Sequence, residues 1–220
     1  LFSGLLLLAS LAAYAQSPLV SVKFRERFDA PSGPDSVTTF HTTPSTTVPY
    51  WNDTTALFVS PGKSYHAKVV PFDSIIFETN TFSTLGNVFV RMTFDQICKV
   101  HYGQQAYIMV SNNNGATWTR LGAPHYQGPS SNFNATSPYF NEISYPNPSA
   151  ANYWGGLTLT GAGTAPLPSW WVQETFNLSS LLGGGPAGTG NGFAQCKIRF
   201  ILEYRTPQGQ ADPAGWFVDN

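Results

Sequence analysis

The chain has 220 residues, 10% of them charged and 15% aromatic, with a formal net charge of −1. It contains no run of Lys or Arg, so it lacks the basic field that nucleic-acid binding requires. Its many Phe, Tyr, Trp, Val, Ile and Leu residues exclude a disordered chain, and its length suits one large β-domain.

The first fifteen residues carry the apolar run Leu5-Leu6-Leu7-Leu8 and then Ala13-Tyr14-Ala15, an A-x-A site ahead of Gln16. This is the pattern of a secretory signal peptide over residues 1–15, and it lacks a basic n-region and an initial Met, so the natural start is expected upstream. The run falls short of the roughly 20 apolar residues that cross a bilayer, and no later segment is long enough. A secreted or cell-surface chain, with residues 16–220 as the mature domain, is therefore expected.

After the leader the recurring signal is alternation with period two. Strands are predicted at residues 20–28, 56–59, 65–70, 75–78, 88–94, 107–110, 170–177, 196–204 and 216–218, separated by Gly, Pro, Ser, Thr and Asn. Ile198, Phe200, Leu202 and Tyr204 share one face, with Lys197, Arg199, Ile201 and Glu203 on the other. No amphipathic helix is evident, and many short strands with turns between them predict an all-β, two-sheet antiparallel jelly-roll sandwich. Residues 122–168 form a long excursion rich in Asn, Pro, Ser, Tyr and Gly, of the kind that is functional or mobile. Residues 183–192 form a second, glycine-rich loop.

Catalytic signatures are sparse. The glycine-rich loop spells G-x-G-x-x-G at Gly183, Gly185 and Gly188, but it precedes a strand and opens no helix, so phosphate-cradling geometry is not expected. The four His residues are dispersed without zinc spacing, and G-x-S-x-G is absent. Paired carboxylates could hydrolyse a glycoside, yet no pair among twelve acids stands out. Cys98 and Cys196 both lie in strand-like runs; an exported chain permits a disulfide between them, and two buried free thiols are the alternative.

The aromatic pairs Tyr50-Trp51, Tyr139-Phe140, Tyr153-Trp154 and Trp170-Trp171 are mostly core candidates. Tyr153 and Trp154, inside the long excursion, are the exception and the candidate ligand-stacking residues, most naturally for a sugar ring.

The stretch Ser111-Asn112-Asn113-Asn114-Gly115-Ala116-Thr117-Trp118 predicts a β-hairpin fixed by its own polar side chains. It follows the S-x-[D/N]-x-G-x-T-W pattern of the Asp-box, with Ser111, Asn113, Gly115 and Trp118 as its structural residues. A single box speaks against a repeated propeller. Together with the terminal Gly215-Trp216-Phe217-Val218-Asp219-Asn220, with Arg25-Glu26-Arg27-Phe28-Asp29 and with the region 171–178, it resembles reelin subrepeats and MAM-like, concanavalin-like jelly rolls. Such domains occur in secreted bacterial surface proteins that end in a type IX secretion sorting domain. The resemblance implies a chain that continues past Asn220, and a non-catalytic binding or adhesion module for a glycan or a surface protein. It also admits an accessory domain of a larger secreted peptidase or glycosidase, or a spacer in an adhesin. Related jelly rolls often hold a structural Ca²⁺, and carried over to this chain the candidate ligands are Glu26, Asp29 and Asp219.

Overall fold

A computed structural model describes residues 22, 24–25, 37–42, 51–100, 103–129, 133, 139–145, 154, 165–184, 192–206 and 214–220. The predicted leader, most of the strand expected at 20–28 and most of the glycine-rich loop lie outside them. In chain order the strands are β1 (Val37–His41), β2 (Asn52–Thr54), β3 (Ser64–Ala67), β4 (Ser74–Thr79), β5 (Arg91–Lys99), β6 (Gln104–Ser111), β7 (Thr119–Arg120), β8 (Val172–Asn177), β9 (Lys197–Tyr204) and β10 (Gly215–Asp219). A single-turn helix α1 (Ser179–Leu182) follows β8, and a 3-10 turn (Pro168–Trp170) precedes it.

Two antiparallel five-stranded sheets result, in the orders β1-β4-β9-β6-β7 and β2-β3-β10-β5-β8. Among the described strands only β2–β3 and β6–β7 are neighbours both in sequence and in a sheet; elsewhere the chain pairs strands far apart in sequence, crossing between the two layers of the sandwich. Among the described residues no helix is long and apolar enough to cross a membrane.

Alternation fixes which side chains meet between the layers. From the first sheet Ile75, Phe77, Ala106, Ile108, Val110, Ile198, Phe200 and Leu202 are buried; from the second, Tyr65, Phe94, Phe176, Trp216 and Val218. Phe200 is the hinge of this core: it stacks on Phe77 at 4.5 Å, meets Phe94 edge-on at 5.0 Å and lies 5.6 Å from Trp216. Trp51, just before β2, closes the cluster edge-on to Phe77 at 5.1 Å. Such aromatic pairs add roughly 0.5–1.5 kcal/mol each beyond the area they bury.

Three expectations change. The strand predicted at 56–59 is a loop, because Val59 and Ser60 give their amide hydrogens to Asp219 instead of to a neighbouring strand. The strand predicted at 88–94 begins only at Arg91, since Val90 is held by Ser179 and Leu178 on the loop side. The excursion at 122–168 is anchored by buried side chains among its described residues: Phe133, Phe140, Tyr145 and Trp154 are buried, and Phe140 bridges to Ala106 of β6, while Ile143 and Leu167 stay exposed.

Candidate binding face

The hairpin at residues 111–118 is held by its own polar side chains, as its sequence predicts. Asn113 Oδ1 accepts from the Ser111 hydroxyl at 2.8 Å and from the Thr117 amide at 2.9 Å, while its Nδ2 donates to Thr117 Oγ1 at 2.8 Å. Ser111 Oγ in turn accepts the Gly115 amide at 2.8 Å. Asn114 and Gly115 have φ of 57° and 88°, the left-handed conformations that Asn and Gly tolerate best. The polar groups of the turn are thus consumed by the turn. Its docking is also internal: the Asn114 amide donates to Gln195 O and Thr81 Oγ1 donates to Asn114 Oδ1.

The stacking residue chosen from sequence is corrected. Trp154 is only 2% exposed, its indole N–H donates to Trp170 O at 2.9 Å, and Tyr145 packs 4.2 Å from its ring. Its own carbonyl accepts from the buried Lys99 ammonium at 2.8 Å. Desolvation lowers the proton affinity of Lys99, and the ring of Trp170 lies 4.8 Å from Nζ. Trp154 therefore pins the excursion to the second sheet and offers no ring to a ligand. Tyr153 lies outside the described residues.

The disulfide is likewise corrected: Cys98 and Cys196 are both free and buried. Cys98 belongs to β5 of the second sheet, opposite Trp216, whereas Cys196 precedes β9 of the first and bridges to Phe82. Burial pushes the Cys98 thiol well up, with the charge of Glu174 adding to the effect.

Of the calcium set, Glu26 and Asp29 lie outside the described residues. Asp219 is fully buried, and its carboxylate accepts from the amides of Val59, Ser60 and Asn220 at 2.6, 2.9 and 2.7 Å and from the Ser60 hydroxyl at 2.5 Å. These are all donors, and between them they engage both oxygens of the Asp219 side chain. Among the described residues no group of three His, Cys, Asp or Glu side chains is placed to hold a metal.

Two other groupings bring titratable side chains together in buried positions. His41 Nδ1 lies 2.8 Å from Asp73 Oδ2 at the end of β1, with both side chains buried. Glu174 is 0% exposed and accepts from Gln96 at 2.9 Å, from Tyr126 at 2.7 Å and from the Tyr145 hydroxyl, while Gln96 accepts the Trp216 indole N–H at 2.6 Å. Desolvation raises the Glu174 pKa, opposed by the hydrogen bonds from Tyr145, Tyr126 and Gln96.

The outer face of the first sheet is different. Pairing places Thr38, Glu78, Arg199, Met109 and Arg120 side by side across all five strands. The adjacent row is Phe40, Ile76, Ile201 and Tyr107. The Arg199 guanidinium lies 4.0 Å from the Trp118 ring and 5.2 Å from Phe40; that of Arg120 lies 3.8 Å from Tyr107 and 5.5 Å from Tyr139. Planar cations thus alternate with rings along the sheet. Arg199 and Lys197 both reach Glu78, at 2.6 and 2.7 Å. Burial pushes Glu78 up, but those two hydrogen-bonded cations outweigh it and hold its carboxyl below the ordinary range. The strands of this sheet carry Lys197, Arg199 and Arg120 against Glu78 and Glu203, and the exposed Arg205 just beyond β9 adds a further cation.

Sequence reasoning found Trp118 and the polar side of β9, but not this face. Its residues come from strands far apart in the chain, and only the register brings them together. The chain matches no protein-family model, and no curated protein matches it at a significant level.

Proposed function

We propose that the chain is a non-catalytic, secreted or cell-surface binding module that holds an acid-bearing glycan against the outer face of the first sheet. The observation that carries this reading is the cross-strand row of Arg199 and Arg120, each lying over aromatic rings, on a side where cations outnumber acids. A guanidinium presents a planar fork that matches a carboxylate or sulfate, and the ring beside it packs on the apolar side of a sugar. Arg199 is held by Glu78 and Trp118 before any ligand arrives, so little ordering entropy is lost on binding.

The test is a glycan array with uronate-bearing, sulfated and neutral members, followed by titration of the best ligand. Acidic glycans bind and neutral ones do not, affinity falls with added salt, and Arg199→Lys weakens binding at least tenfold although it keeps the charge. Silence across the array, or equal binding by Arg199→Lys, would overturn the reading.

A further inference from the structure

We propose that the glycan held by the first sheet is a polymer with an acidic group on every second sugar, its chain crossing the strands from Arg199 to Arg120 over Met109. This rests on the acidic-glycan reading above and adds to it the spacing of the ligand's charges.

Register sets that spacing. Arg199 of β9 and Arg120 of β7 are both cross-strand partners of Met109 in β6, one on each side of it. Their backbones are therefore two strand spacings apart, about 10 Å, the reach of two sugar rings in an extended glycan and not of one. Glu78 of β4 takes the Arg199 Nε at 2.6 Å on the side away from Met109, while the Arg120 guanidinium lies over Tyr107 of β6 at 3.8 Å. One head leans away from β6 and the other toward it, so the cations keep the spacing of their strands.

Charge divides the face into two centres with a neutral gap. Lys197 and Arg199 share the one carboxylate of Glu78, at 2.7 and 2.6 Å. At the second centre Arg205 lies 2.8 Å from Glu203, and both act electrostatically on Arg120. Each centre therefore has two cations against one acid, and each sets rings beside its guanidinium: Trp118 and Phe40 at Arg199, Tyr107 and Tyr139 at Arg120. Met109 between them is half-buried and uncharged. An acid on the intervening sugar would lie over this thioether with no cation to meet it, and an unpaired charge is costly to desolvate. On the far side of Arg199, one strand away, Glu78 repels an acid set at single-sugar spacing. Alternation of acidic and neutral sugars satisfies both positions. The second acid reaches Arg120 on a chain already held at Arg199, so it adds affinity without a second loss of translational freedom.

Calorimetric titration of the full chain with chondroitin oligosaccharides tests this. Unsulfated, they alternate a uronate with a neutral amino sugar; sulfated on each amino sugar, they carry an acid on every ring of the same backbone. The unsulfated tetrasaccharide, with two uronates, binds about tenfold tighter or more than the disaccharide, with one. It also binds tighter than the sulfated tetrasaccharide, although it carries less charge. Arg120→Gln brings the tetrasaccharide down to the affinity of the disaccharide. Met109→Lys leaves both centres in place and turns the preference toward the sulfated form, so it tests the spacing even where Arg120→Gln does not fold. A tetrasaccharide no tighter than the disaccharide, a sulfated form that binds as well or better, or a preference that neither variant moves would each overturn the proposal, while the acidic-glycan reading would stand on its dependence on Arg199. No binding by any of these acidic glycans would overturn both.

Discussion

The two sheets share a core but treat their charges in opposite ways. The second sheet carries Asp53, Asp95, Glu174 and Asp219 against Arg91 and Lys99, and of these Asp95, Lys99, Glu174 and Asp219 are buried. Each of those four is spent on holding backbone or side chains together: Asp219 on the 59–60 turn, Lys99 on the excursion, Glu174 on two tyrosines and Asp95 on Asn220. The first sheet keeps Lys197 and Arg199 partly exposed, with Arg205 exposed just beyond β9, and packs its rings against guanidinium groups. One sheet is a structural wall, the other a surface. Glu174 and Glu78 make the contrast sharp, since desolvation wins at the first and paired cations win at the second.

The most severe way to break the contrast is at Glu174. Removing it as Glu174→Ala leaves Tyr126, Tyr145 and Gln96 with buried groups that have lost their acceptor, and opens a cavity; a loss of about 3–5 kcal/mol is expected in denaturant unfolding. A loss below about 1 kcal/mol would show that these hydrogen bonds do not brace the wall. The pH response is a finer probe. A carboxyl whose folded pKa is raised holds its proton longer in the folded state, so its contribution is complete below the ordinary carboxylate range and is lost as pH rises through the folded value. Glu174→Gln therefore flattens the decline of Tm on the high side of that window.

This division between wall and surface also explains what could be read in the sequence. Period-two alternation in β9 and the turn chemistry of residues 111–118 depend on neighbours in the chain, so both were legible, and with them the all-β sandwich. Trp154 was misread because Asn, Pro, Ser and Gly around it signal a solvent loop, whereas its partners Lys99 and Trp170 lie outside the excursion and Tyr145 meets it from nine residues away. The Arg199 row escaped for the same reason: Glu78, Arg199, Met109 and Arg120 become neighbours only through strand register. Asp219 was noticed as an acid, but whether it faces donors or a cation is a tertiary fact.

The hairpin comes next in size, because it ends the exposed sheet without belonging to the wall. Asn113→Ala removes the acceptor of the Thr117 amide and of the Ser111 hydroxyl, at a cost of about 1–2 kcal/mol. Thermal unfolding of Asn113→Ala with and without Arg199→Lys separates the two roles, since the turn loss should be additive with Arg199→Lys only if Trp118 keeps its place.

The smallest effect is the most diagnostic of the exposed sheet. A carboxyl whose folded pKa is depressed contributes stability above its ordinary value and loses it as pH falls through the folded one, the reverse of Glu174. Glu78→Gln should therefore cost about 0.5–1 kcal/mol at neutral pH, with the difference from wild type shrinking in acid and in high salt. If the cost instead persists unchanged at low pH and at high salt, Glu78 is held by packing and not by Lys197 and Arg199. The first sheet would then be a second wall, and the guanidinium groups on it would be free to turn away from the rings.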